Sequence, residues 1–341
     1  MSKILGVNSP KPEHVKNYII NGNFDIWQRG TSGILTSTDT AQHKACDRFY
    51  TYRTSSTAFT MSQQTGDFST YAARFQRTAA DTSTTTMYAG QVIETAEAVK
   101  LAGKTITLSF YAKAGANFSS SGSGLTLFMI TGTGTDQGSQ GSISGTWSGY
   151  SASLNTTKTI TISAVRYSYT VTIPSGTKEI AILFSYGGSG TAGANDWFQL
   201  EQVMLNEGSV AAPFQTAGDN IEDELAMCQK YYQKTFPLAT TPAQNAGAAG
   251  AVTIASVGAG GFGNFLLWNF PVIMRGSPTI VTYNPSAANA NARNFALSAD
   301  RAITSDPFGV SSQRGVGKVV DSTGDTLGQH VGIHYTADAE L

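Results

Sequence analysis

Between residues 18 and 215 apolar and polar side chains alternate with a period of two. In Thr105 to Lys113, Ile106, Leu108, Phe110 and Ala112 fall on one side, while Thr105, Thr107, Ser109, Tyr111 and Lys113 fall on the other. Tyr167, Tyr169, Val171 and Ile173 repeat the pattern, as do Ile180, Ile182, Phe184 and Tyr186, and Leu125, Leu127 and Met129. This is the signature of half-buried antiparallel strands. Gly-rich stretches at 115–124, 132–145 and 187–194 separate them. Many short strands with turn signals between them predict a β-sandwich. Residues 87–100 fit either a short helix or a strand followed by a turn, and the run Gln91-Val92-Ile93-Glu94 favours strand plus turn.

The period changes at 219–234, which predicts the chain's one helix. Asp219 is placed to cap it, with Glu222 as its capping-box partner. Asp223 and Glu224 in the first turn, and Lys230 and Lys234 in the last, complement the helix dipole. Ile221, Leu225, Cys228 and Tyr232 form a 4-3-4 apolar stripe. Two roles are open to it: docking a linker helix on the sandwich, or packing around the axis of an oligomer. The spacing is heptad-like, but about two heptads is too short to hold a trimer alone. After Pro237 an Ala/Gly/Thr/Pro-rich linker runs into a weak strand, Val252 to Val257. Phe265 to Phe270, Thr279 to Tyr283, Val310 to Val320 and Val331 to Tyr335 are further candidate strands. The chain therefore divides into an extended arm (1–17, with Pro10 and Pro12 barring helix), a sandwich (18–215), a linking helix (216–236) and a smaller β-domain (237–341).

Composition narrows the function. Charged residues are 13% of 341, against about 25% in an average domain. Net charge is −1 and no Lys/Arg run occurs, so no electrostatic term favours nucleic acid or membrane. No apolar run approaches the roughly 20 residues of a membrane helix. Residues 1–17 contain no apolar signal core, so an extracellular role would imply release by lysis, as part of a virus particle. Cys46 and Cys228 are too few for a disulfide framework. They read as two buried thiols or one long-range bridge.

Several segments together resemble a family of tailed-bacteriophage structural proteins. They are Asn17 to Gly30, Asp47-Arg48-Phe49, Gln91 to Glu94, Leu101 to Lys113, Asp196 to Leu205, Cys228 to Tyr232 and the terminal Ala337-Asp338-Ala339-Glu340-Leu341. The resemblance implies an all-β protein: a jelly-roll β-sandwich like a carbohydrate-binding module, then one linking α-helix and a second, smaller β-domain. Asn21 to Gly30 and Asp196 to Leu205 would be its neighbouring first and last strands. It also implies a virion location, a homotrimer attached to other virion proteins through the arm, and host surface glycan as ligand. Tail-fibre or receptor-binding function is the first reading. The short arm leaves capsid decoration as an alternative, and polysaccharide depolymerase is a third.

Sugar binding needs aromatic faces set among polar groups. Trp147 and Tyr150 in a Gly/Ser loop, and Tyr111 on the polar side of its strand, are the candidates. The other reading of Trp147 is that it covers the sandwich edge or sits in a subunit interface. Trp27 and Trp197 read as core. The resemblance implies no cofactor beyond a structural calcium, with Asn23, Asp25 and Asp196 as candidate oxygen ligands. Their other reading is as turn and cap residues. His330 and His334 lie four apart in strand-like surroundings, about 13 Å, too far to share a metal. Catalysis would require Glu94, Asp196 and Glu201 to pair as glycosidase carboxylates. No Gly-x-Ser-x-Gly elbow or Walker loop is present.

Overall fold

The computed structural model describes residues 15–35, 40–54, 59–259, 263–303 and 311–341. Most of the arm, the start of the strand expected from Val310, and residues 260–262 lie outside them. Eleven strands build the first unit: β1 (Ser32–Leu35), β2 (Tyr50–Arg53), β3 (Phe59–Thr65), β4 (Tyr71–Arg77), β5 (Thr86–Ile93), β6 (Thr105–Ala114), β7 (Gly124–Gly132), β8 (Ser151–Thr159), β9 (Val165–Thr172), β10 (Glu179–Gly187) and β11 (Trp197–Glu207). They form two antiparallel sheets, ordered β1-β3-β4-β11-β6-β9 and β2-β5-β10-β7-β8. The chain passes back and forth between the sheets, giving a jelly-roll sandwich. Residues 87–100 are strand β5 followed by the single helical turn Thr95–Ala98.

The alternation sets the core. Ile106, Leu108, Phe110 and Ala112 of β6 face Leu125, Leu127 and Met129 of β7 and Ile180, Ile182 and Phe184 of β10 in one buried cluster. Phe110 meets the edge of Phe184 at 4.9 Å. The segment 21–30 differs from expectation: it neighbours β11 but is not a strand. β11 carries a bulge between Glu201 and Met204, with Gln202 at φ 48°. A bulge leaves ladder groups unpaired. Here the Val203 N–H donates to Gly22 O (2.8 Å), and Asn17 Nδ2 donates to Val203 O (3.2 Å). Gly22 is required by proximity, since a Cβ there would lie 2.0 Å from Val203 O. Asn21 holds the turn through its side chain, bonding the Ile26 N–H and C=O (both 2.9 Å).

The helix is shorter than the sequence suggests. It spans Ile221–Gln229, and its cap is Asn220, whose side chain accepts from the Asp223 N–H (2.9 Å). The face it buries is Glu224 and Cys228, followed by Tyr231 beyond its end. Glu224 accepts from the backbone N–H groups of Asn21 and Gly218. Ile221 is 50% exposed, and Tyr232 belongs to strand β12 (Tyr232–Lys234). The expected stripe therefore does not form one face: two of its four members are taken up inside the chain. Tyr231 and Tyr232 lie beneath the guanidinium groups of Arg48 (3.4 Å) and Arg29 (3.8 Å), and pairing of β12 replaces further helix.

The second unit adds β13 (Val252–Ala255), β14 (Asn264–Asn269), β15 (Thr279–Tyr283), β16 (Ala292–Asn294), β17 (Ala299–Arg301), β18 (Gly315–Val320) and β19 (His330–Asp338). β19 is its spine, pairing with β12, β13, β15 and β16. It packs its own cluster of Leu266, Met274, Val316, Val331, Ile333 and Tyr335. His334 is buried, between Thr235 Oγ1 (3.0 Å) and Gly247 O (2.9 Å).

Beyond β19 the terminal residues cross onto the sandwich. The Glu340 carboxylate accepts from Arg48 and lies 3.4 Å from Arg29 Nη2 and 3.5 Å from His43 Nε2. Arg29 also contacts Asp47 and Asp338, each at 3.1 Å. Burial alone would raise the Glu340 carboxyl, but Arg48, His43 and Arg29 outweigh it and hold it at about 2. Burial lowers His43 to about 4. Removing one partner of a buried pair strands the other.

Phe110→Ala is expected to cost about 3–5 kcal/mol by cavity formation, and Tyr111→Ala much less; urea unfolding measures both. Glu340→Gln is expected to cost about 3–5 kcal/mol at neutral pH. Because the folded-state carboxyl is depressed from 4.5 to about 2, its contribution is present above 4.5 and lost as pH falls through about 2. The melting-temperature gap between wild type and variant should close over that window.

Candidate functional site

The outer face of the five-stranded sheet divides into two halves. One half is covered. Tyr50, Val92, Ile130, Ala181 and Leu183 are buried there under Trp147, with Ile143 and Leu341 packed alongside. The cover is the excursion between β7 and β8, which contains the short helix Ser139–Ser144. Trp147 is its anchor: 4% exposed, with Nε1 donating to Gly138 O (2.9 Å). Gly141 allows this, since a Cβ there would lie 2.5 Å from the indole. Tyr50 OH and Ser142 Oγ hydrogen bond at 2.9 Å, tying the cover to the sheet. Trp147 thus has no free face for a ligand.

The other half carries a row set by strand register. Tyr52 pairs with Tyr88, Tyr88 with Ser185, Ser185 with Thr126, and Thr126 with Thr157. Directly paired residues share a face, so these five side chains run across all five strands, about 19 Å at the usual strand spacing. The Tyr52 and Tyr88 rings are 5.8 Å apart, and the Thr126 and Thr157 hydroxyls are 2.9 Å apart. Tyr150, 39% exposed, ends the covering excursion beside the row. Burial raises the Tyr88 hydroxyl, and the Tyr52 and Tyr150 hydroxyls raise it further. Phe128, half-buried, lies one row over beside Leu183. Tyr52 (8% exposed) and Ser185 (6%) form the buried floor of the row, so what it presents is Tyr88 and the Thr126 and Thr157 hydroxyls, with Tyr150 on the wall. Such a surface can stack on C–H faces and exchange hydrogen bonds with hydroxyls.

Of the three sequence candidates, only Tyr150 is on this surface. Tyr111 belongs to the other sheet, where it stacks on Phe68 (4.1 Å). Tyr52 and Tyr88 were missed. Their signal is a tyrosine in the polar phase of a strand, as at Tyr88 between Met87 and Ala89, but only register joins them.

The calcium candidates do not come together. Asn23 Nδ2 bonds Asp25 (2.9 Å). Asp196 stands at the opposite end of β11 from Gly22, seven residues or about 23 Å along the strand from Val203. Its buried carboxylate already has a cation, Arg77 Nη1 at 2.9 Å, and accepts from Ser119 N (2.9 Å), Ser119 Oγ (2.7 Å) and the Tyr186 hydroxyl. Among the described residues no group of three or more His, Cys, Asp or Glu could hold a metal. The three candidate glycosidase carboxylates also lie apart. Asp196 is in the core. Glu201, on the outer face of the other sheet, is tied to the 67–69 turn. Glu94 is paired with Lys230. Trp27 is buried as expected, whereas Trp197 is only partly so.

No protein-family model matches the chain, and no curated protein does. Among solved structures the chain is similar to a CBM4 structure (18% identity over 55% of this chain and 98% of that one, TM-score 0.32). It is also similar to TmCBM61 in complex with β-1,4-galactotriose (13%, 57% and 99%, TM-score 0.31). A third is the enzymatically active domain of bacteriophage CBA120 tailspike protein 4 (15%, 56% and 21%, TM-score 0.32), of which the match spans about a fifth.

Trp147→Ala is expected to behave as a core truncation, costing about 3–5 kcal/mol in urea unfolding. A variant as stable as wild type would mean that the excursion does not depend on this anchor.

Proposed function

We propose that the protein is a non-enzymatic recognition protein that holds a neutral glycan chain along the open half of the five-stranded sheet. The observation that carries this reading is the row Tyr52–Tyr88–Ser185–Thr126–Thr157 beside the wall bearing Tyr150. Tyr88 and Tyr150 stack on sugar rings above the buried Tyr52, and the threonine hydroxyls fix their orientation. No ionised side chain belongs to the row, which suits a hydroxyl-rich, uncharged ligand.

The wider assignment is a virion component of tail-fibre or receptor-binding type, trimeric, held to the particle by its N-terminal arm and directed at host surface glycan. The resemblance of the seven segments from Asn17 to Leu341 supports it. Each such cleft would bind weakly, and several in one oligomer would raise avidity through effective concentration.

A panel of immobilised neutral glycans tests the site. Wild type should bind one class of chain. Tyr88→Ala should weaken that binding by roughly three- to tenfold, the worth of one aromatic contact, at an unchanged melting temperature. Equal binding by both proteins would remove the cleft from the account.

A further inference from the structure

The opposite face of the sandwich carries a second arrangement that the cleft does not use. On the six-stranded sheet, the hairpin turn between β3 and β4 folds back over the strands. Glu201, almost fully buried, accepts from Asp67 N (2.9 Å), Phe68 N (2.8 Å) and Ser69 Oγ (3.1 Å). Among the described residues no cation pairs with this buried carboxylate; its bonds to the turn hold the turn against the sheet. What the turn presents is Phe68, 52% exposed and stacked on Tyr111. A second aromatic plate lies nearby on the same face: Trp197, partly exposed, beneath the guanidinium of Arg74 (4.0 Å).

The charges beside these plates are unequal. Lys113 is paired with Asp67, and Glu201 is enclosed by the turn. Arg74 has only a 3.4 Å contact to Gln199 Oε1. Arg166, directly opposite Tyr111 in the ladder, reaches Ser109 Oγ (3.2 Å) and Ala212 O. Among the described residues neither arginine has a carboxylate partner. They lie on β4 and β9, three strand spacings or about 14 Å apart, with the Phe68–Tyr111 pair between them. Arginine forks match carboxylates in geometry and charge.

We propose that this face is a second ligand site, for a carboxylate-bearing polysaccharide, in which Phe68 stacks on a sugar ring and Arg74, held over Trp197, and Arg166 take the carboxylates. It stands independently of the neutral-glycan cleft, because no residue is shared and the two faces point away from each other. One protein could then hold two chemically different chains, or one mixed chain wrapped around the sandwich edge.

Affinity electrophoresis through gels containing polygalacturonate tests it, in a Tyr88→Ala/Tyr150→Ala background that removes the ring contacts of the opposite face. The background protein should be retarded, and retardation should weaken with added salt, since the arginines are solvent-accessible. Adding Arg74→Gln should lower the affinity about tenfold, the worth of one charge-assisted hydrogen bond, and Phe68→Ala should lower it severalfold. Phe68 is exposed, so its loss should leave the melting temperature in place. Three results would overturn the proposal: no retardation of the background protein, retardation indifferent to both substitutions, or equal retardation by single-stranded DNA, which would mark a general polyanion effect.

Discussion

The pairing of Glu340 with Arg48 and Arg29 is the constraint on which the rest of this arrangement depends. Two buried guanidinium groups on the sandwich need a counter-charge. Asp47 serves Arg29, but the carboxylate that meets both arrives from the far end of the chain. Because Arg48 and Arg29 also stack on Tyr231 and Tyr232, the cluster fixes three things together: the end of the helix, the start of β12 and the terminal crossing of β19. Leu341 then adds to the covered half of the five-stranded sheet. The surface left open for a ligand is thus bounded partly by a contact formed some 300 residues away in sequence.

The same division of labour holds for the sandwich itself. Its inner faces are filled by side chains of one phase of each strand. Its outer faces are free for other uses, and the protein treats them differently. Half of one is sealed by the Trp147 excursion. The remaining half carries Tyr88 and Tyr150, and the opposite face carries Phe68, none of them buried. At the ends of β11, internal groups do the work of holding the sheet: Arg77 neutralises Asp196, and the Asn17–Gly22 segment completes the bulge at Val203.

Much of the fold was legible because it is periodic. β6, β7 and β10 could be read from alternation alone, and β15 to the residue. The helix was overextended because Tyr232 continues an apolar stripe, while the real partner of its ring is Arg29, distant in sequence. The segment 21–30 read as a strand because nothing local shows that β11 bulges opposite it. Trp147 illustrates the limit for sites. A tryptophan in a Gly/Ser loop suggests exposure, yet Gly141 is small because the indole lies against it. Tyr52 and Tyr88 are 36 positions apart and become one surface only through pairing register, which a single sequence does not supply.

The central claim is that this chain recognises glycan without altering it. The most direct measurement is to incubate the intact protein with a purified bacterial surface polysaccharide and follow co-sedimentation and new reducing ends in the same sample. The account predicts retention of the protein on the polysaccharide with no increase in reducing ends over time. Reducing ends that accumulate in proportion to protein, or no retention on any polysaccharide tested, would contradict it.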